Sequence, residues 1–242
     1  MVRVSRSIVP SFFTVGNMFC GLYSVIAAFG GKIVLAAWMI FFGAFLDAMD
    51  GKIARFTGSS SRFGVEYDSL ADVISFGFAP SMLIYSSYAK NMGLPGILLS
   101  FLPLLFGSIR LARFNIQLKG FDKEHFTGLP IPIAALALAS FIIFSQYFFY
   151  VPVRFPKALI VIIFLVSILM VGTMRYEKLP NFNFKGTNRD KIKVIIFLIG
   201  VILLIIFPQE GLFPLIMMYI LSGIFAWLLR LSKGKSTIEE GI

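Results

Sequence analysis

Four aspartates stand at spacings that could do chemistry. Asp47 and Asp50 are three residues apart, Asp68 and Asp72 four apart, so each pair shares one face of a helix. All four adjoin long apolar runs, where an ionised carboxylate costs roughly 2.5 to 3.5 kcal/mol even on translocon-insertion scales. Close together they would repel one another, so something positive must hold them. Lys52 and Arg55 could pair with them as packing salt bridges, although two cations leave four anions two charges short. Intramembrane carboxylates also form proton or cation pathways in transporters. Alternatively, their hard oxygens could clamp one or two divalent ions, Mg²⁺ or Mn²⁺, at about 4 Å separation.

The neighbouring residues favour the metal. Gly51 follows Asp50, Ala54 lies one turn beyond it, and Gly64 precedes Asp68 by one turn. The helix surface beside the carboxylates is therefore bare, which admits a ligand, although small faces also serve ordinary helix packing. Arg55 carries forked donors that suit a phosphate oxygen. Metals, groove and arginine together suggest a pyrophosphate. A transporter would need a polar path through the membrane, yet the outer halves of these segments hold almost no ionisable residue.

The elements that must position these groups are membrane helices. Of 242 residues, 58% are hydrophobic and 14% charged, with 28 Phe, against roughly 25% charge in a soluble domain. This composition excludes disorder, and the single cysteine, Cys20, excludes a disulfide framework. Crossing the bilayer takes about 20 helical residues. Runs of that length predict an all-α polytopic protein with eight spans, near 10–29, 33–56, 66–89, 94–116, 131–150, 156–174, 191–208 and 211–230. Residues 1–8 read as a basic interfacial segment rather than a cleaved signal, 175–190 as a connector, and 232–242 as a polar, disordered tail.

The net charge of +10 reads as cytoplasmic loops meeting anionic lipid rather than as a nucleic-acid surface. Of the 22 Lys and Arg, 18 fall in the compartment of the N-terminus and 4 opposite. The positive-inside rule then puts both termini in the cytoplasm of a cell-membrane protein. The 14 apolar residues Ile33 to Leu46 and the 17 from Val73 to Ala89 hold the aspartates about 20 to 25 Å from the outer side, so the site faces the cytoplasm.

Asp47-Ala-Met-Asp50-Gly51-Lys-Ile-Ala54-Arg55, eight residues, then Gly64-Val-Glu-Tyr-Asp68-Ser-Leu-Ala-Asp72 resembles the signature of the CDP-alcohol phosphotransferases at all eight fixed positions. The resemblance implies a dimeric membrane enzyme with a six-helix catalytic core, here residues 9–174. Two additional helices within 191–231 would then be peripheral to the chemistry. It implies transfer of a substituted phosphate from a CDP-linked donor to an alcohol, with release of CMP. It further implies that Asp47, Asp50, Asp68 and Asp72 bind one or two divalent ions, with Asp72 also the general base. Gly51, Ala54 and Gly64 would let the nucleotide approach, and Arg55 would contact phosphate.

Three further stretches, Pro10 to Asn17, Arg110 to Asn115 and Gly128 to Ala135, look like the accessory motifs of membrane-integral phosphatidylserine synthases. That resemblance implies a CDP-lipid donor and L-serine as acceptor. Ser11, Thr14 and Asn17 form a stripe that could line the nucleotide groove or bond helix to helix. Arg110 and Arg113 share a helical face and suit an acceptor carboxylate, with Arg113 expected to contribute more and Asn115 assisting. They would equally suit an acceptor bearing phosphate, such as glycerol phosphate or inositol phosphate, or anchor the helix to lipid phosphates.

Overall fold

The computed structural model describes residues 12–57, 62–119, 128–172, 174 and 207–239, all helix or short connection, with no strand among them. The helices are α1 (Phe12–Phe29), α2 (Ile33–Thr57), α3 (Arg62–Asp72), α4 (Ala79–Ser87), α5 (Leu94–Lys119), α6 (Ile131–Phe149), α7 (Pro156–Val171) and α8 (Pro208–Glu239). A π-helical turn, Val73–Phe78, joins α3 to α4, and a 3₁₀ turn, Ala89–Met92, leads to α5. Six stretches among the described residues are long and apolar enough to cross a membrane: α1, most of α2, the α3–α4 unit, most of α5, α6 and the first part of α8. The sixth predicted span is the shorter, 16-residue α7. Most of the seventh predicted span, near 191–208, lies outside the described residues, as do the 1–8 segment, the 175–190 connector and Ser11. The tail expected to be disordered from Ser232 is instead helical as far as Glu239.

α1 is inside-out relative to a helix of a soluble protein, because lipid tails impose no cost on an exposed Leu. α1 buries Thr14, Asn17, Gly21, Ser24 and Ala28, and turns Phe12, Phe19, Leu22, Ile26 and Phe29 outward. Small residues let α1 and α2 approach: a Cβ on Gly16 would lie 3.0 Å from Leu46 Cδ1. Ser24 donates to the Ala36 carbonyl at 2.8 Å across the pair. Gly31, at φ +76°, makes the tight turn between them that a side chain would disfavour.

α6 is the central helix, packed against α2, α7 and α8, and its Ala134, Ala135, Leu138, Ile142 and Ile143 are buried. Phe213 of α8 meets the rings of Phe141 and Phe144, centroids 5.3 and 5.5 Å away. The segment before α6 is a junction. Gly128 (φ +89°) sits where a Cβ would be 2.4 Å from the Met170 carbonyl. Its N–H donates to Met174 O at 2.8 Å, beyond the end of α7, and that of Leu129 to Leu169 O at 2.9 Å, which satisfies a carbonyl that the last turn of α7 leaves without an intrahelical partner.

The π turn was not legible as a break in the third span. Ala79 N–H bonds the Ile74 carbonyl, five residues back, and Pro80 next in the chain has no N–H to continue the ordinary ladder. Such widened turns recur at functional sites, and this one begins immediately after Asp72.

Candidate active site

Asp47 comes from the second half of α2, and Asp68 and Asp72 from the end of α3. One carboxylate oxygen from each of these three lies within 4.8 Å of the others. Two helices deliver them: Asp68 and Asp72, an i, i+4 pair, share one face of α3, and that face meets Asp47 of α2. Asp68 Oδ1 is buried without a hydrogen-bond partner. Three hard, anionic oxygen donors and an unsatisfied buried carboxylate oxygen are the donor set a divalent cation takes, so the residues present fit the implied metal.

Asp50 stands beside this trio, close enough to act electrostatically on Asp47 and Asp68. Its Oδ2 accepts a hydrogen bond from Thr14 Oγ1 of α1. Asn17, also on α1 and fully buried, donates from Nδ2 to Asp72 Oδ1 at 3.4 Å. The α1 stripe therefore reaches the aspartates, and it does so by bonding them.

Gly51 is exposed near the end of α2, and Gly64 lies in the first turn of α3. Both flank the carboxylates, in keeping with a surface bare enough for a ligand. The side chains of Ala54 and Arg55 lie outside the described residues, as does His125, which the sequence left without a role. Lys52 is exposed.

The two arginines of α5 part company. Arg110 approaches Asp72 closely enough to act on it electrostatically, and its Nε is buried with no hydrogen-bond partner. Arg113 Nη1 instead donates to the Val171 carbonyl at 2.7 Å. A cation at the last carbonyls of α7 is stabilising there, so this side chain is committed to joining α5 to α7. Of the two, it is Arg110 that lies near the aspartates, whereas Arg113 was expected to contribute more at the acceptor. Asn115 is likewise engaged within the protein: its Nδ2 donates to Glu66 Oε2 at 3.2 Å and to Ser69 Oγ at 3.1 Å.

Two residues that the sequence reading passed over belong to this region. Ser75 is buried in the π turn and donates to the Asn17 carbonyl at 2.8 Å. Ser69, next to Asp68, meets Asn115. No signal in the sequence singled them out, since serines of these helices also donate to carbonyls of their own helix, as Ser69 does to Val65 O at 3.1 Å and Ser100 to Gly96 O at 2.7 Å.

The profile described as CDP-alcohol phosphatidyltransferase matches residues 7–172. A protein of Helicobacter pylori named CDP-diacylglycerol–serine O-phosphatidyltransferase is 36% identical over 224 residues, covering 93% of this chain and 92% of the relative. One of Methanocaldococcus jannaschii with the same name is 30% identical over 221 residues, 91% and 94% of the two chains. An archaetidylserine synthase of Methanothermobacter thermautotrophicus is 36% identical over 171 residues, 70% of this chain and 69% of the relative. The match spans both helices that bring the carboxylates together, and with such relatives along nearly its whole length the chain belongs to the CDP-alcohol phosphatidyltransferase family.

Proposed function

We propose that this protein transfers a phosphatidyl group, or its ether-lipid equivalent, from a CDP-lipid to the hydroxyl of L-serine and releases CMP. The observation that carries the reading is the convergence of Asp47, Asp68 and Asp72 on one point, with Arg110 beside Asp72. The names of the relatives favour serine as the acceptor, and the archaetidylserine synthase leaves both tail chemistries in play. A divalent ion, Mg²⁺ or Mn²⁺, held by Asp47, Asp50, Asp68 and Asp72, would offset the negative charge of the pyrophosphate.

The chain's own groups then have distinct tasks. Gly51, Ala54 and Gly64 leave room for the nucleotide, and Arg55 meets its phosphate. Arg110 takes the carboxylate of serine through a bidentate pair. Asp72 accepts the hydroxyl proton as the serine oxygen bonds the phosphorus that carries the lipid. The bond from that phosphorus to the oxygen of CMP breaks, and CMP leaves. The lipid tails lie among the helices while serine enters from the cytoplasm, in the cell membrane, and the enzyme acts as a homodimer, as the family resemblance implies.

Purified protein in detergent, given CDP-lipid, a divalent ion and a panel of alcohols, is expected to release CMP with serine. Chelator should abolish the reaction. Release with glycerol phosphate or inositol phosphate but not with serine would overturn the acceptor assignment and leave only the family. The orientation has its own check: single cysteines at Ser59 and Gly93 should label from opposite sides of the membrane. Labelling from one side would overturn the topology.

A further inference from the structure

α1 supplies no carboxylate, yet it bonds one from each helix that does. Thr14 Oγ1 donates to Asp50 of α2, and Asn17 Nδ2 donates to Asp72 of α3. The two donors are one turn apart, and both are buried.

The helix that carries them cannot easily shift. Ser75 holds the Asn17 backbone carbonyl at 2.8 Å. Gly21 lies so close to the π turn that a Cβ would sit 2.7 Å from Ser75 Oγ and 2.8 Å from its Cα. On the other side, a Cβ on Gly43 of α2 would be 3.0 Å from Asn17 Oδ1. Close glycine contacts on both flanks thus fix the distance from α1 to α2, which carries Asp50, and to the π turn that directly follows Asp72. Each bonded carboxylate keeps a second oxygen that these α1 donors do not use.

We propose that Thr14 and Asn17 are positioning residues that act through Asp50 and Asp72 rather than on the nucleotide. Thr14 sets the orientation in which Asp50 meets a divalent cation, and Asn17 the orientation in which Asp72 receives the acceptor proton. The proposal rests on the metal-dependent transfer above. Hydrogen-bond partners of metal-binding side chains are typically worth about 10- to 100-fold in affinity or activity.

The test begins with Mn²⁺ binding by the full-length protein in detergent, measured by titration calorimetry without substrate. Thr14→Val, which keeps the shape and loses the donor, should weaken binding about tenfold or more. Thr14→Ser, which keeps the hydroxyl, should restore it to within about threefold of the original. Asn17→Ala should lower kcat about 10- to 100-fold with the KM for CDP-lipid changed less than about twofold. Thermal unfolding serves as the control for folding, with Thr14→Ala replacing a Val variant that fails it.

An unchanged Mn²⁺ affinity in Thr14→Val, or a raised CDP-lipid KM at normal kcat in Asn17→Ala, would overturn the proposal and return these residues to the nucleotide groove. The original protein binding no Mn²⁺ would overturn the metal reading as well, so the two failures are distinguishable.

Discussion

Asp72→Asn should lower the turnover number by about 10²- to 10⁴-fold, the range that a positioned general base contributes, while CDP-lipid still binds in the presence of metal. An amide can remain close to a cation but cannot take the serine proton. Asp68→Asn and Asp47→Asn should differ in kind. Each removes one anionic charge from the trio whose oxygens lie within 4.8 Å of one another at a position assigned to the metal and not to the proton, so turnover and Mn²⁺ affinity should fall together. Loss of a carboxylate also relieves repulsion among its neighbours, and the metal-free protein should therefore unfold no sooner than the original. CMP release, equilibrium binding of CDP-lipid and Mn²⁺ calorimetry on the same preparations read the three quantities. An Asp72→Asn variant that turns over normally would remove Asp72 as the base.

Arg110→Ala should raise the apparent KM for serine by about 10- to 100-fold, because a charge-assisted hydrogen bond contributes about 1.5 to 3 kcal/mol and each 1.4 kcal/mol is about tenfold. Donor affinity should change much less. Arg110→Lys should recover only part of the loss, having charge without the bidentate fork.

Arg113→Ala should leave the serine KM near its original value and lower thermal stability instead. The lost contact is the bond to the Val171 carbonyl, a helix-terminal interaction of about 1 kcal/mol, which corresponds to a fall of about 2 to 4 °C for a chain of this size. If Arg110→Ala weakens donor binding and spares serine, Arg110 holds the lipid phosphate. If Arg113→Ala raises the serine KM, the roles read from the structure are exchanged.

Which of these residues could be known from the sequence follows from how local their determinants are. Asp47, Asp50, Asp68 and Asp72 were legible because a carboxylate in an apolar span is costly and because spacings of three and four put each pair on one helical face. The helical class was legible for the same reason: a bilayer leaves the backbone of an apolar run no other single-segment way to satisfy its hydrogen bonds.

The partition between Arg110 and Arg113 was not legible, since both lie on one face of α5 and differ only in what stands opposite. The end of α7, 58 residues from Arg113, claims one of them, and the other lies near enough to Asp72 to act on it electrostatically. Asn115 reads as a third acceptor contact in its motif, yet it meets Glu66 and Ser69, 49 and 46 residues away. Thr14 and Asn17 announced a polar stripe, and only the packing of α1 between α2 and α3 showed that its donors meet aspartates. Helical periodicity fixes the face on which a side chain lies, whereas its partner depends on contacts between segments far apart in the chain, which only the tertiary structure decides.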